Sequence, residues 1–108
     1  MANGHSHRSP ENQFVIEELL YCGSGTSDKV WGIFRHGSML GAFWGKRNGP
    51  WTFKIESPYN SYSFLREKSR QKQGKYEVQT HIWPGFSREV FQALAKTTFF
   101  DAFHKRHG

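Results

Sequence analysis

Apolar and polar side chains alternate along four stretches in the first half of the chain. A period of two is typical of β-strands, because successive side chains of a strand point to opposite faces of the sheet. The first stretch is apolar in both alternating sets, and the Val, Ile, Phe and Tyr residues near its ends favour a strand over a helix. The predicted strands are residues 13–22, 29–35, 39–46 and 51–55. The connections between them are short, which predicts an antiparallel meander.

The pattern changes to one typical of helices at Ser57. Ser is a good N-cap and Pro58 suits the first helical position, so a helix is predicted to begin here and to end near Gly74. Residues 76–80 then add a fifth strand. A second helix is predicted from Ser87, its N-cap, because apolar residues recur at intervals of three and four. These residues are Val90, Phe91, Leu94, Ala95, Phe99, Ala102 and Phe103. The predicted fold is α+β: a small antiparallel five-stranded sheet, a meander plus a C-terminal strand, with one helix packed on it and an extra C-terminal helix.

At 108 residues the chain is expected to form one domain. We predict three parts: a disordered arm at residues 1–12, the sheet domain at 13–80, and a helical extension at 81–108 packed on the same domain. The single cysteine, Cys22, excludes an intramolecular disulfide and is typical of a reducing compartment. The N-terminal residues lack the apolar core of a signal peptide, and no stretch approaches the ~18 apolar residues of a membrane span. We therefore expect an intracellular protein, in the cytoplasm and nucleoid or in a nucleus, with no membrane partner.

The positive net charge of the chain favours polyanions as binding partners. A net charge of +6 attracts them over long distances, although a soluble basic domain without a nucleic-acid role has the same charge. The candidate chemistry centres on Phe43-Trp44-Gly45-Lys46-Arg47-Asn48-Gly49, where Asn-Gly between alternating runs predicts a hairpin turn. Trp44 and Lys46 would share one face of the strand that ends there, and an aromatic ring beside a cation suits a sugar, a base or a phosphate. A core tryptophan followed by a solvated lysine has the same pattern.

Three motifs give residues 13–78 a resemblance to a known family. They are Lys29-Val30-Trp31-Gly32-Ile33-Phe34, the stretch from Phe43 to Gly49 quoted above, and Gln73-Gly74-Lys75-Tyr76 at the end of the predicted helix. In their order and spacing they resemble the second strand, the signature with its following turn, and the helix end of the WGR domain. This domain occurs in poly(ADP-ribose) polymerases and in many bacterial proteins. The resemblance covers about three-fifths of the chain.

The resemblance implies a small antiparallel sheet with one helix, and a module that in the polymerases binds DNA near a strand break. There the signature Trp stacks on the sugar at a 5′ end, nearby cations hold phosphates, and the module relays the DNA-bound state to a catalytic domain. By this resemblance Trp44 is the stacking residue, Lys46 and Arg47 are phosphate contacts, and Lys75 and Tyr76 reach the same ligand. The alternative for the last two is a solvated cap residue and a core aromatic of the fifth strand. The third signature position holds Lys46 instead of Arg. Lys keeps the charge but loses the planar fork of Arg, and Arg47 follows on the opposite strand face.

Other residues near the motif have two interpretations each. Gly45 either lets a ligand approach the backbone closely or eases the twist of the hairpin. Arg35 and His36, at the neighbouring turn, would extend the cationic edge, although a polar turn is the commoner explanation. Trp31 and Trp51 share strand faces with bulky apolar residues and are assigned to the core. Four cations of the first predicted helix are interpreted as a solvated helix face, and these are Arg66, Lys68, Arg70 and Lys72.

Together these features predict a nucleic-acid-binding module for double-stranded DNA ends or nicks, with DNA favoured over RNA and with no cofactor. An enzyme is not predicted, because the chain contains no glycine-rich phosphate loop, no His-Glu-x-x-His and no Gly-x-Ser-x-Gly. The spacing of His36 and His81 relative to Glu17 and Glu56 does not favour a metal site. The alternative is a protein-interaction or regulatory adaptor, for example an inhibitor, that acts through the aromatic C-terminal helix.

Overall fold

The computed structural model describes residues 13–56 and 61–97. Five strands and two helices occupy these residues, in the order β1 Phe14–Cys22, β2 Lys29–His36, β3 Met39–Lys46, β4 Trp51–Glu56, α1 Ser61–Lys72, β5 Glu77–Val78 and α2 Phe86–Leu94. The predicted α+β fold with a five-stranded antiparallel sheet is confirmed, and the bounds of the first four strands are predicted to within one residue. Of the helices described, none is long and apolar enough to cross a membrane.

The sheet is a meander with one strand added at its edge. The strand order is β4-β3-β2-β1-β5, and the paired strands are antiparallel. The fifth strand is shorter than predicted and pairs only through Glu77 and Val78. Its start is limited by α1, because the N–H of Tyr76 donates to the carbonyl of Lys72 at 2.8 Å and so belongs to the helix end. Past the strand, the N–H of Gln79 still donates to the Leu19 carbonyl at 2.8 Å.

Both faces of the sheet are covered, which explains why β1 is apolar in both alternating sets. The face under α2 holds the larger core, formed by Phe14, Ile16, Leu19, Val30, Phe34, Met39, Phe43, Phe53, Phe86, Val90 and Leu94. The face under α1 holds a smaller one, formed by Leu20, Trp31, Ile33, Leu40, Ala42 and Leu65. Among the described residues of α1, Leu65 is the apolar side chain that joins this smaller core, and Ser69 of the same helix is also buried.

Three details of the helices and turns differ from the prediction. Ser87 is not the N-cap of α2; that position is Gly85, whose φ of 77° a glycine adopts without strain, and no side chain caps the helix. Gly74 does not adopt the positive φ of a left-handed cap. The β3–β4 turn closes when the N–H of Gly49 donates to the carbonyl of Lys46, so its central residues are 47 and 48 instead of Asn-Gly. The predicted helix start at residues 57–58 and the predicted apolar residues 99–103 lie outside the described residues.

Candidate nucleic-acid interface

Trp44 lies on the α1 face at the point where the helix no longer covers the sheet. Its strand register places it opposite Trp31 of β2 and Thr52 of β4. Trp31 is buried, with 4% of its surface exposed, whereas Trp44 is 37% exposed. Two tryptophans on neighbouring strands and the same face therefore differ in environment. Trp31 belongs to the core as predicted, and Trp44 presents an aromatic surface to solvent.

A hollow of about 290 Å³ separates α1 from this part of the sheet. Its lining residues include three aromatic side chains, Trp31, Trp44 and Tyr76. The sheet contributes Ala42 and α1 contributes Leu65 as apolar lining. Ala42 is the small residue between Leu40 and Trp44 on the same strand face, so its short side chain leaves the space open.

Charged side chains complete the lining of this hollow. They are Lys54 and Glu56 from β4 and Lys68 and Lys72 from α1. The ammonium of Lys72 lies 5.7 Å from the centroid of the Trp31 ring, and that of Lys54 lies 3.7 Å from a carboxylate oxygen of Glu56. With three ammonium groups and one carboxylate, the hollow has a net positive charge. Burial raises the pKa of Tyr76, with a smaller contribution from Cys22, so its hydroxyl remains protonated and adds no negative charge at neutral pH.

Lys46 and Gly45, the residues that follow Trp44, have different surroundings. Lys46 shares the face of Trp44 and stands directly opposite Lys29, and these two like charges disfavour each other. Lys46 does not line the hollow. Gly45 has a φ of 150°, and a Cβ atom there would come within 2.5 Å of the Pro50 carbonyl oxygen. The close approach of the two hairpin strands therefore requires glycine at this position, without any ligand.

Arg47 lies on the other side of the sheet from Trp44. Its Nε atom is 3.7 Å from Asp28 Oδ1, and its guanidinium carbon is 5.3 Å from the Trp83 ring centroid and 6.0 Å from that of Tyr21. The backbone N–H of Arg47 donates to the Asp28 carbonyl at 2.8 Å. The Tyr21 hydroxyl donates to Asp28 Oδ1 at 2.6 Å, and this hydrogen bond raises the pKa of Tyr21. Arg47 thus joins the β3–β4 turn to the loop after β1 and to the segment before α2.

The remaining predicted residues also lie away from the hollow, except Tyr76, which lines it. Arg35 donates to Glu17 at 2.9 Å and lies 5.9 Å from the Tyr62 ring centroid. Lys75 is exposed just beyond α1 and does not line the hollow. His36 is 2% exposed and packs against Phe91 at a centroid distance of 5.3 Å, so it neither extends a cationic edge nor forms an exposed polar turn.

Sequence reasoning did not identify the lysines of α1 as part of this site. Lys68 and Lys72 were assigned to a solvated face, yet they follow Leu65 at intervals of three and seven residues and so share its side of the helix. Leu65 is the buried residue of α1 in the core of this face. The spacing from Leu65 therefore identifies both lysines as part of this site, provided that the side of α1 that packs on the sheet is known.

Within residues 13–56 and 61–97, no three His, Cys, Asp or Glu side chains lie close enough together to hold a metal ion. The chemistry of the hollow is that of an aromatic and cationic binding surface, able to stack a planar group and to neutralise an anion. No protein-family model, no curated protein and no solved structure matches this chain.

Proposed function

We propose that the chain is a nucleic-acid-binding module that recognises ends or nicks of double-stranded DNA. Trp44 supplies the stacking surface, and the lysines around it contact phosphates. The observation that carries this proposal is the hollow beside α1, where the exposed ring of Trp44 lies among Lys54, Lys68 and Lys72. Stacking of a base on an aromatic side chain contributes about 1–3 kcal/mol, and lysine ammonium groups add sequence-independent attraction to the phosphates.

The size of the hollow favours ends and nicks over intact duplex. About 290 Å³ is close to the lower limit of ligand sites, which measure roughly 300–1,000 Å³, so it accepts one planar group at a time. Bases inside an intact duplex are stacked on both sides and cannot enter. A terminal base is stacked on one side only, and a base beside a nick has lost the backbone link on one side, so either costs less to displace. The resemblance to the WGR domain, which in the polymerases binds near strand breaks, supports the same ligand.

We divide the residues predicted from sequence into binding residues, structural residues and one peripheral cation. We assign Trp44 and Tyr76 to the binding surface, with Lys46 and its neighbour Lys29 as flanking phosphate contacts on the same face. We assign structural roles to the two arginines, Arg47 and Arg35, and to Gly45. Each arginine has an acidic partner, and Gly45 serves the hairpin. Lys75 is left as a peripheral cation beside the helix end.

The test is a fluorescence anisotropy titration with a nicked duplex, a blunt duplex, a single strand and a dumbbell duplex closed by non-nucleotide linkers, which has no end, no nick and no unpaired base. We expect the nicked and blunt duplexes to bind more tightly than the dumbbell. We also expect affinity to fall with salt, with a log–log slope of about −0.9 for each phosphate contacted. Equal affinity for the dumbbell would contradict end recognition, and salt-insensitive or absent binding to every ligand would exclude the function altogether.

A matched pair of variants tests the role of Trp44. Trp44→Ala is expected to weaken end binding by about 1–3 kcal/mol and to lower the free energy of unfolding less than truncation of a fully buried Trp does, because the Trp44 ring is partly exposed. Trp31→Ala, one strand away on the same face, is expected to lower the free energy of unfolding by about 3–5 kcal/mol, because Trp31 is buried. If Trp44→Ala reduced stability as much as Trp31→Ala does, Trp44 would be a core residue.

The adaptor hypothesis stays a prediction that rests on the aromatic C-terminal helix. In the described part of that helix, Phe86, Val90 and Leu94 are buried against the sheet. Their apolar surface therefore stabilises the fold and is not available to a partner.

A further inference from the structure

We infer that the hollow distinguishes between bases, and that Glu56 selects those with an exocyclic amino group. Cytosine, adenine and guanine would then be preferred over thymine and uracil. This inference rests on the proposed function, since it assigns a base preference to the same site. The chemical class of the ligand is an unpaired nucleotide whose base carries an amino group.

Among the described residues that line the hollow, Glu56 is the one carboxylate. It is the last residue of β4 and stands opposite Leu40. Its side chain is 16% exposed, and one of its oxygens lies 3.7 Å from the ammonium of Lys54. A carboxylate has two oxygens and about four acceptor positions, so the ion pair with Lys54 leaves capacity for a second donor.

A carboxylate at this place is unfavourable for a site that binds phosphate alone. Glu56 opposes part of the attraction that Lys54, Lys68 and Lys72 exert on an anion. Its presence is explained if a different part of the ligand, one that donates hydrogen bonds, faces it. The aromatic lining indicates that this part is a base, and the amino group is the donor that distinguishes one base from another.

The chemistry of the base edges gives the direction of the preference. An ionised carboxylate only accepts hydrogen bonds, and the N4 amino group of cytosine donates one. Uracil has a carbonyl oxygen at the same position, which also only accepts. Placing that oxygen against Glu56 replaces a charge-assisted hydrogen bond by a repulsive contact. Cytosine and uracil are otherwise similar in size and stacking surface, so they isolate the contribution of this contact.

The experiment compares oligodeoxycytidine with oligodeoxyuridine of equal length, at neutral pH and fixed salt, by fluorescence anisotropy on the full chain. We expect the wild-type protein to bind the cytidine strand about tenfold more tightly, which corresponds to one discriminating contact of about 1.4 kcal/mol. Glu56→Gln keeps the shape of the side chain, removes its charge and adds an amide that can donate to a carbonyl. This variant should bind the uridine strand more tightly than wild type does, and the preference for cytidine should fall to within about twofold.

The outcomes separate this inference from the proposed function. Equal affinity of the wild-type protein for both strands, or an unchanged preference in Glu56→Gln, overturns the role of Glu56 and leaves nucleic-acid binding in place. No binding to either strand or to the free monophosphates overturns the base preference, and a nicked duplex titrated alongside shows whether nucleic-acid binding fails as well. Free cytidine and uridine monophosphate form the final arm. If the two monophosphates bind with the same preference while the strands do not bind, the base preference is upheld and a free nucleotide is the ligand.

Discussion

Lys46 and Arg47 are adjacent in the chain and have different surroundings. Lys46 lies on the same face as Trp44 and stands opposite another cation, Lys29, on the neighbouring strand. Arg47 is held by the carboxylate of Asp28 and by the ring of Trp83. Strand alternation predicts that the two side chains point to opposite faces. It does not predict which face is open, because the partners of Arg47 come from a distant loop and from the segment before α2.

This difference leads to opposite expectations for two charge-removing substitutions. Arg47→Ala should lower the free energy of unfolding by about 1 kcal/mol, the combined size of an exposed ion pair and a cation–π contact, and should leave DNA affinity almost unchanged. Lys46→Ala should leave stability unchanged or slightly higher, since it relieves the repulsion from Lys29, and should weaken DNA binding. Urea denaturation and anisotropy titration measure the two quantities. Each variant is the control for the other because both remove one positive charge.

The opposite effects on stability and on DNA affinity would exchange the roles assigned to Lys46 and Arg47. If Arg47→Ala lost affinity at full stability, Arg47 would be the phosphate contact in place of Lys46. The contact with Asp28 would then be broken when DNA binds.

At the scale of elements, the four meander strands were predictable because their signal is local. Alternation and short connections lie within each stretch of sequence, and the bounds follow from them. The fifth strand and the start of α2 were less predictable. β5 is shortened by its neighbour α1, and α2 begins after Gly85, whose left-handed backbone replaces the side-chain cap expected from Ser87. Packing of one element on another decides both, and a single stretch of sequence does not contain that information.

The same limitation explains why the site was only partly predicted. Trp44 and Tyr76 were named from their motifs, and both line the hollow. Lys68 and Lys72 were not, because their role depends on which side of α1 docks on the sheet. That side is identified by Leu65, which the structure shows to be buried.

The two helices are expected to respond differently to substitution. Leu94→Ala in α2 should lower the free energy of unfolding by about 2–5 kcal/mol, because Leu94 is fully buried in the larger core and its loss leaves a cavity. Gln92→Ala on the exposed side of the same helix should change it by less than about 0.5 kcal/mol. Urea denaturation of the two variants measures the difference. A small effect of Leu94→Ala would show that α2 is dispensable for the fold, and the adaptor hypothesis would gain support.

Over the whole molecule, the charge of +6 is less informative than its location. Several cations are paired with carboxylates at the surface, among them Arg35 with Glu17 and Arg70 with Glu67. The lysines of the hollow face a single carboxylate between them. Composition predicted an attraction to polyanions, but the fold is needed to show that several of the lysines lie together around the hollow.

A matched pair of lysine variants tests whether location or total charge governs binding. Lys72→Ala removes a cation from the hollow, and Lys96→Ala removes one from the exposed segment after α2, the helix on the other face of the sheet. Both lower the net charge by one, so long-range attraction falls equally. If Lys72 contacts a phosphate, its loss should make the log–log salt slope shallower by about 0.9, whereas Lys96→Ala should leave the slope unchanged. Anisotropy titrations with nicked duplex at several salt concentrations give both slopes. Equal changes of the salt slope in the two variants would mean that DNA is attracted by the overall charge of the molecule. The combination of tryptophans and lysines in the hollow beside α1 would then require a different ligand.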